Sequence, residues 1–176
     1  MVMLKSAFLE VVDLNMGLIF SQVEGNRELV ELSKMVVLEL SKPGAIEIIG
    51  GRDSGKSWLI RELFRANPQM SPVLVVTKGK VPEIPGCEVL TCTSMEGLLV
   101  ILSDLQIRSV RIGSFLLGID TLVTLVVAAG GTKRLKEVNR AIRALVKTGV
   151  RVVVVNSTIY PVVRTSSLFS KSIRLG

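Results

Sequence analysis

Residues 44–57 read GAIEIIGGRDSGKS, and this stretch decides the fold. Its first half is a short apolar strand, and its second half matches the phosphate-binding pattern G-x-x-x-x-G-K-[ST] at every fixed position. An amphipathic segment follows at once and predicts a helix that starts near Lys56 and ends at Asn67. A strand, a glycine loop and a helix in this order are the context in which the pattern binds phosphates.

The glycine loop predicts a nucleotide site, with ATP and Mg²⁺ as the expected ligands. Glycines allow backbone angles and a close approach that side chains would block, so the loop N–H groups point inward at phosphates. The following helix adds the positive end of its dipole. We expect Lys56 to contact the β- and γ-phosphates and the Ser57 hydroxyl to bind Mg²⁺. The predicted nucleotide-binding set is Gly50, Gly51, Arg52, Asp53, Ser54, Gly55, Lys56 and Ser57.

The rest of the chain alternates between strand-like and helix-like segments. Further strands are predicted at 73–77, 88–91, 110–113, 151–156 and 172–175, and further helices at 26–42, from Ser94 through Leu105, and at 133–147. The alternation predicts an α/β fold, with a mainly parallel sheet and helices on both faces. We expect one unit, in which an arm and helix (1–42) accompany a nucleotide-binding core (43–176).

Composition excludes several classes of protein. Hydrophobic residues make up 48% of the chain and charged residues 21%, which is typical of a globular domain. Two cysteines and no histidine indicate neither a disulfide scaffold nor a zinc site. The apolar run 115–131 is short for a membrane span and contains Asp120, so a buried helix is favoured. No secretory signal is recognisable, and a cytoplasmic protein without membrane contact is expected.

Charge is distributed unevenly and points to a polyanionic partner. Residues 1–48 hold four Lys/Arg and seven Asp/Glu, net −3, whereas the remaining 18 and eight give net +10. Cations recur at helical spacing in 133–147, on the face opposite an apolar stripe. The residues predicted to contact single-stranded DNA are Lys133, Lys136, Arg140, Arg143, Lys147 and, in the segment 158–170, Arg164. In that segment Tyr160 and Phe169 would stack on bases. A solvated helix face and a plain hairpin are the alternatives.

Three stretches carry a family resemblance. GAIEIIGGRDSGKSWLIREL, residues 44–63, resembles the entry to the ATPase core of RecA/RadA-type recombinases, and Glu47 stands where that family has Glu. KRLKEVNRAIRALVKTGVRVVVVNS, residues 133–157, is similar to that family's long helix and following strand, which ends in Thr-Asn-Gln. SLFSKSIRLG, residues 167–176, resembles its closing strand. The resemblance implies a RecA-like P-loop NTPase core, with Asn156 and Ser157 at the positions that sense the γ-phosphate.

The chain departs from that family at its catalytic positions. The strand that should end in Asp-Ser is read at 110–113, so that Gly113 occupies the Asp position. The family's catalytic Glu follows its second strand, where this chain has Thr77-Lys78-Gly79-Lys80, and its sensor Gln is Ser157. Asp104 ends the apolar run 98–104 and is a possible catalytic acid, although a helix is favoured there. These departures predict weak or absent ATP hydrolysis.

The resemblance therefore implies a shortened recombinase paralogue rather than a strand-exchange enzyme. The family's N-terminal DNA-binding domain and self-assembly motif have no counterpart, so no homo-filament is expected. The first hypothesis is an accessory factor in homologous recombination and DNA repair, which binds ATP and single-stranded DNA and assists a full-length recombinase. The alternatives are a non-catalytic interaction subunit and a small active P-loop NTPase or kinase that uses Asp104 or Asp120.

Overall fold

A seven-stranded sheet forms the centre of the computed structural model, which describes residues 9–12, 42–79, 81–130, 134–157, 169 and 171–175. Its strands are β1 (Leu9–Val12), β2 (Gly44–Gly50), β3 (Val73–Val76), β4 (Glu88–Thr91), β5 (Leu116–Asp120), β6 (Arg151–Ser157) and β7 (Lys171–Leu175). They are arranged in the order β1-β7-β2-β6-β5-β3-β4. All neighbours are parallel except β1, which pairs antiparallel with β7 at one edge. The predicted mainly parallel sheet is confirmed.

Four described helices cover both faces of this sheet. They are α1 (Lys56–Arg65), α2 (Met95–Ile112), α3 (Leu122–Ala128) and α4 (Leu135–Lys147), with a 3₁₀ turn at Pro68–Met70. The central strands β2, β3, β5 and β6 are buried on both sides, as the complete burial of the valine run 152–155 in β6 shows. One face packs against α1, whereas α2, α3 and α4 cover the other. Helices on both faces are therefore confirmed as well.

The structure contradicts the strand predicted at 110–113. Residues 110–113 are not a strand, because α2 continues to Ile112 and ends at Gly113, whose φ is +89°. The helix begins as predicted, since the Ser94 Oγ accepts a hydrogen bond from the Gly97 N–H at 3.0 Å. Its buried face repeats at helical spacing through Leu98, Leu102, Leu105 and Ser109. The helical spacing of buried residues along the whole segment outweighs the strand preference of the β-branched residues at its end.

The structure also contradicts the helix predicted for the apolar run 115–131. This run is not a single buried helix, because it divides into strand β5 and the short helix α3. Residues of β5 are buried on both faces, so the run lacks the alternation that distinguishes a strand from a buried helix. The strand occupies a central position between β3 and β6, and it ends at Asp120.

Helix α1 lies directly on β5 at Gly118. A Cβ added to Gly118 would lie 2.6 Å from the Phe64 ring, 2.8 Å from Ile60 Cδ1 and 2.9 Å from Leu74 Cδ1. We expect Gly118→Ala to lower the free energy of unfolding by about 1–3 kcal/mol, because overpacking a dense core forces side chains off their preferred rotamers. Urea unfolding measures the effect. In Gly51→Ala, where the new Cβ has open space, stability should change little; an equal loss in both variants would contradict the packing argument.

Several sequence predictions lie outside the described residues. The helix predicted at 26–42 falls almost wholly there, as do Lys133, Tyr160 and Arg164. The N-terminal arm is represented by β1, which joins the same sheet as the core. Over the parts of the chain that are described, none of the helices has the length and apolar character needed to cross a bilayer.

Candidate nucleotide-binding site

The glycine loop connects β2, in the middle of the sheet, to the first residue of α1. Two of its glycines are required for different reasons. At Gly50 a Cβ would lie 2.3 Å from Ser54 Oγ and 3.0 Å from the Leu175 carbonyl oxygen, so a side chain does not fit. Gly55 has a φ of +86°, which side chains rarely tolerate, and it leads directly into α1. The loop therefore has the compact bend that the motif predicts.

The Lys56 side chain folds back over this loop. Its ammonium donates hydrogen bonds to the Gly51 carbonyl oxygen and, at 3.2 Å, to Ser54 Oγ. Partial burial lowers the pKa of Lys56, while the negative charges of Asp120 and Asp53 act in the opposite direction. A cation held inside a loop of backbone N–H groups, at a helix N-terminus, is suited to bind an anion.

Asp53 lies in the loop without obstructing its inner side. The side chains of Arg52 and Asp53 are 92% and 91% exposed, and Arg52 Nε lies 3.7 Å from Asp53 Oδ2. Water and salt weaken the field of an exposed charge, so this carboxylate opposes phosphate binding less than its position in the motif suggests. Its φ of +60° is unusual for a residue other than glycine, although Asp is among the residues that adopt it most readily.

Asp120 is the principal addition that the structure makes to the site. It ends β5, in register with Val155 of β6, and accepts a hydrogen bond from the side chain of Ser57. Burial raises the pKa of Asp120, whereas the Ser57 hydrogen bond and the charges of Arg61 and Lys56 lower it. The lysine and serine of the motif and a carboxylate from another strand thus converge at one point.

This convergence corrects the assignment made from the sequence. Gly113 ends helix α2, whereas Asp120 ends a central strand of the sheet. Asp104 is exposed on α2 and ends no strand. The sequence held a usable signal, since Leu116-Leu117-Gly118-Ile119-Asp120 is an apolar run that ends in an acid. Because the apolar residues continue beyond Asp120, the run favours a helix and hides the end of the strand.

The end of β3 is tied to the end of β5 by Thr77. The Thr77 N–H donates to the Asp120 carbonyl oxygen at 2.8 Å, and its hydroxyl donates to the Thr121 carbonyl oxygen at 2.8 Å. The Thr121 N–H donates back to Thr77 Oγ1 at 2.9 Å. No carboxylate follows β3 in the described residues 77–79, as the sequence indicated. Thr121 Oγ1 is buried and has no hydrogen-bond partner among the described residues.

The two residues assigned to γ-phosphate sensing face in opposite directions. Ser157 pairs with Gly50, and by strand alternation it lies on the same sheet face as Asp120. Asn156 lies on the other face, where its Nδ2 donates to Glu47 Oε1 at 2.6 Å. Ser172 Oγ donates to Glu47 Oε2 at 3.1 Å. The Asn156 side chain therefore joins β6 to β2 beneath the loop, and only Ser157 is directed towards the phosphate side.

The side chains at this edge fit a Mg²⁺ ion that arrives with a nucleotide. Ser57 and Asp120 supply hydroxyl and carboxylate oxygens, the hard ligands that Mg²⁺ prefers. Among the residues that the structure describes, no group of three or more His, Cys, Asp or Glu side chains could hold a metal without help. Magnesium typically combines one or two carboxylates with substrate phosphates, and this donor set matches that arrangement.

A pocket of about 300 Å³ opens beside the loop. Its lining residues are Asp53, Ser54, Gly55, Lys56, Ser57 and Trp58. The volume lies at the lower end of the roughly 300–1,000 Å³ that small-molecule sites span.

The predicted DNA-binding residues are only partly described. Helix α4 exposes Lys136, Arg140, Arg143 and Lys147, and it buries the predicted opposite stripe of Leu135, Val138, Ile142 and Leu145. The helix packs on the sheet face opposite α1. Phe169, which was predicted to stack on DNA, is instead buried in the core at 5% exposure, so that assignment is wrong.

Comparisons with known proteins leave this site without a relative to interpret it. The chain matches none of the models of known protein families, and no curated protein matches it in sequence. The interpretation therefore depends on the residues and their geometry.

Proposed function

We propose that this chain binds a nucleoside triphosphate, ATP in the first place, together with Mg²⁺ at the glycine loop 50–57. The observation that carries the proposal is the convergence of Lys56, Ser57 and Asp120 at the carboxyl edge of a mainly parallel sheet. Ligands of open α/β sheets bind at this edge. Lys56 would neutralise the β- and γ-phosphates, and Ser57 and Asp120 would hold the metal. Bound magnesium would offset phosphate charge.

Within this class, the proposed role is that of a RecA/RadA-like accessory factor in homologous recombination and DNA repair. Glu47 in the strand before the loop, Asp120-Thr121 at the end of β5 and Ser157 at the end of β6 support the proposal. The exposed cations of α4 support contact with single-stranded DNA, since Lys and Arg side chains neutralise backbone phosphates and release their counterions. A full-length recombinase is the proposed protein partner, and the protein is proposed to be cytoplasmic.

We propose that hydrolysis is slow. Hydrolysis requires a group that positions and polarises water in addition to the metal. Of the described residues that end the parallel strands at the loop, Asp120 is the only carboxylate, and in this proposal it holds the metal together with Ser57. Where the resembled family carries its catalytic Glu, this chain has Thr77-Lys78-Gly79-Lys80, a segment without a carboxylate.

An active NTPase is the second candidate function, and Asp120 is the observation that favours it. Enzymes of this kind turn over about once per second or faster. ATP turnover at that rate by the purified protein, lost in Asp120→Ala, would support the active enzyme. Turnover that is orders of magnitude slower would support the binding protein.

Replacing Asp120 with asparagine separates a metal-binding role from a structural one. Burial raises the pKa of Asp120, so its ionised form at neutral pH costs folding stability that the neutral amide does not. We expect Asp120→Asn to match or exceed the wild type in melting temperature without ligand. The extra stabilisation that Mg²⁺ adds to ATP should be lost, because the amide carries no charge for the metal. Thermal unfolding with ATP plus EDTA and with ATP plus Mg²⁺ measures both effects.

The raised pKa of Asp120 also predicts how stability and metal binding depend on pH. The cost of the ionised carboxylate to folding stability grows as the pH rises through the folded-state pKa of Asp120. Metal binding by this carboxylate weakens as the pH falls through the same pKa. Lys42→Ala provides the control, since Lys42 is exposed and precedes β2, at the end of that strand opposite to the glycine loop. An equal Mg²⁺ effect in Asp120→Asn and in the wild type would remove Asp120 from the site.

A further inference from the structure

Trp58 lines the candidate nucleotide pocket, although phosphate binding does not require an aromatic side chain. It follows Ser57 in the first turn of α1 and lines the pocket together with the loop residues 53–57. It is half-buried and packs against the apolar cluster beneath α1. The indole is therefore supported by the core and still borders the pocket.

The other described aromatic side chains are not available to a ligand. Phe64, Phe115 and Phe169 are exposed by 0%, 2% and 5% of their surfaces. Among the described residues, Trp58 is thus the only aromatic side chain that can meet a base without rearrangement of the core. An aromatic ring that is already held in place loses little conformational freedom when it stacks on a ligand.

The order of the lining residues indicates which part of the ligand would reach this ring. Lys56 and Ser57 would hold the phosphates, and Trp58, the next residue of α1, lines the same pocket beside them and would border the nucleoside. Resting on the proposed nucleotide binding, we propose that Trp58 stacks on the base and makes the site selective for nucleoside triphosphates over inorganic polyphosphate. Stacking uses the π-face that every base has and does not read the base edge, so ATP and GTP bind with similar affinity.

The test compares three ligands, namely ATP, GTP and inorganic tripolyphosphate, each with Mg²⁺. Their dissociation constants are measured by calorimetry for the wild type, Trp58→Ala and Trp58→Phe. We expect Trp58→Ala to weaken ATP and GTP by about tenfold, the effect of one lost base stack, and to leave tripolyphosphate within about twofold. Trp58→Phe, which retains an aromatic face, should recover most of the loss.

The fluorescence of the protein provides an independent readout, because Trp58 is its single tryptophan. ATP and GTP should both change its emission strongly, whereas tripolyphosphate should change it little. The tripolyphosphate affinity of Trp58→Ala also reports whether the variant retains its loop. If that variant fails to fold, Trp58→Phe and wild-type fluorescence still decide the matter.

The outcomes are distinguishable. Tripolyphosphate binding by the wild type, combined with equal nucleotide affinity in Trp58→Ala, overturns the stacking role and leaves the phosphate site intact. A difference of more than tenfold between ATP and GTP overturns the lack of base discrimination. If the wild type binds none of the three ligands, the proposed function fails and this inference fails with it.

Discussion

Lys56→Ala is expected to raise the dissociation constant of Mg·ATP by about 100-fold. The ammonium lies inside the loop, where it donates to the Gly51 carbonyl oxygen and to Ser54 Oγ, and both bonds can be exchanged for bonds to phosphate. A hydrogen bond to a charged group contributes about 1.5–3 kcal/mol, so two phosphate contacts account for about 3 kcal/mol or more. That loss corresponds to a factor of about 100 in affinity.

The stability of the ligand-free protein should not fall in proportion. Burial lowers the pKa of Lys56, which means that holding its charge in the folded state at neutral pH has a cost. Calorimetry should therefore show a large change in Mg·ATP affinity, whereas thermal unfolding without ligand should show only a small change in melting temperature. Lys42→Ala removes the same charge at the far edge of the sheet and should bind Mg·ATP like the wild type. Unchanged affinity in Lys56→Ala would exclude the loop as the phosphate site.

Neutralising the exposed cations of α4 is expected to reduce affinity for single-stranded DNA by about 200-fold at about 0.15 M salt. The variant replaces Lys136, Arg140, Arg143 and Lys147 with glutamine. Four phosphate contacts correspond to a slope of about −2.8 in a plot of log affinity against log salt, and this slope yields the factor of 200 relative to 1 M salt. The opposite, buried stripe of the helix is untouched, so the fold should persist.

A charge-matched variant separates this effect from a change in net charge. Replacing Lys42, Arg65, Lys78 and Arg111 with glutamine removes four exposed cations from other surfaces. Fluorescence anisotropy with a labelled oligonucleotide, at several salt concentrations, measures affinity and slope together. We expect the slope to fall by about 2.8 in the α4 variant and by less in its control. The same loss in both variants would indicate a general attraction and not a binding face on α4.

The part of the site that could be predicted is the part that is contiguous in the chain. The loop, the start of α1 and the role of Lys56 all depend on residues within 44–57, where strand, turn and helix signals follow one another directly. The parallel sheet was predictable for a related reason, since alternating apolar strands and amphipathic helices have few ways to bury their faces. Helix α4 illustrates this, because its apolar and basic stripes are separated at a period that the sequence shows directly.

Asp120 could not be assigned with the same certainty. Its strand lies within an apolar run that continues past it, and a run buried on all sides has no period that separates strand from helix. The rival assignment, 110–113, has β-branched residues but belongs to a helix whose buried face was set from Ser94 onward. Only pairing of β5 with β3 and β6 shows which segment enters the sheet.

Local sequence was therefore enough to specify the glycine bend at the end of β2 and the layers around it, because those features arise from neighbouring residues. The register of strands that lie far apart in the chain decides which carboxylate faces that bend. It also decides that Ser157 faces the bend, whereas Asn156 bonds to Glu47 on the opposite side of the sheet. A shift of one residue in a strand reverses the face of every side chain, and hydrogen bonding between strands sets that register.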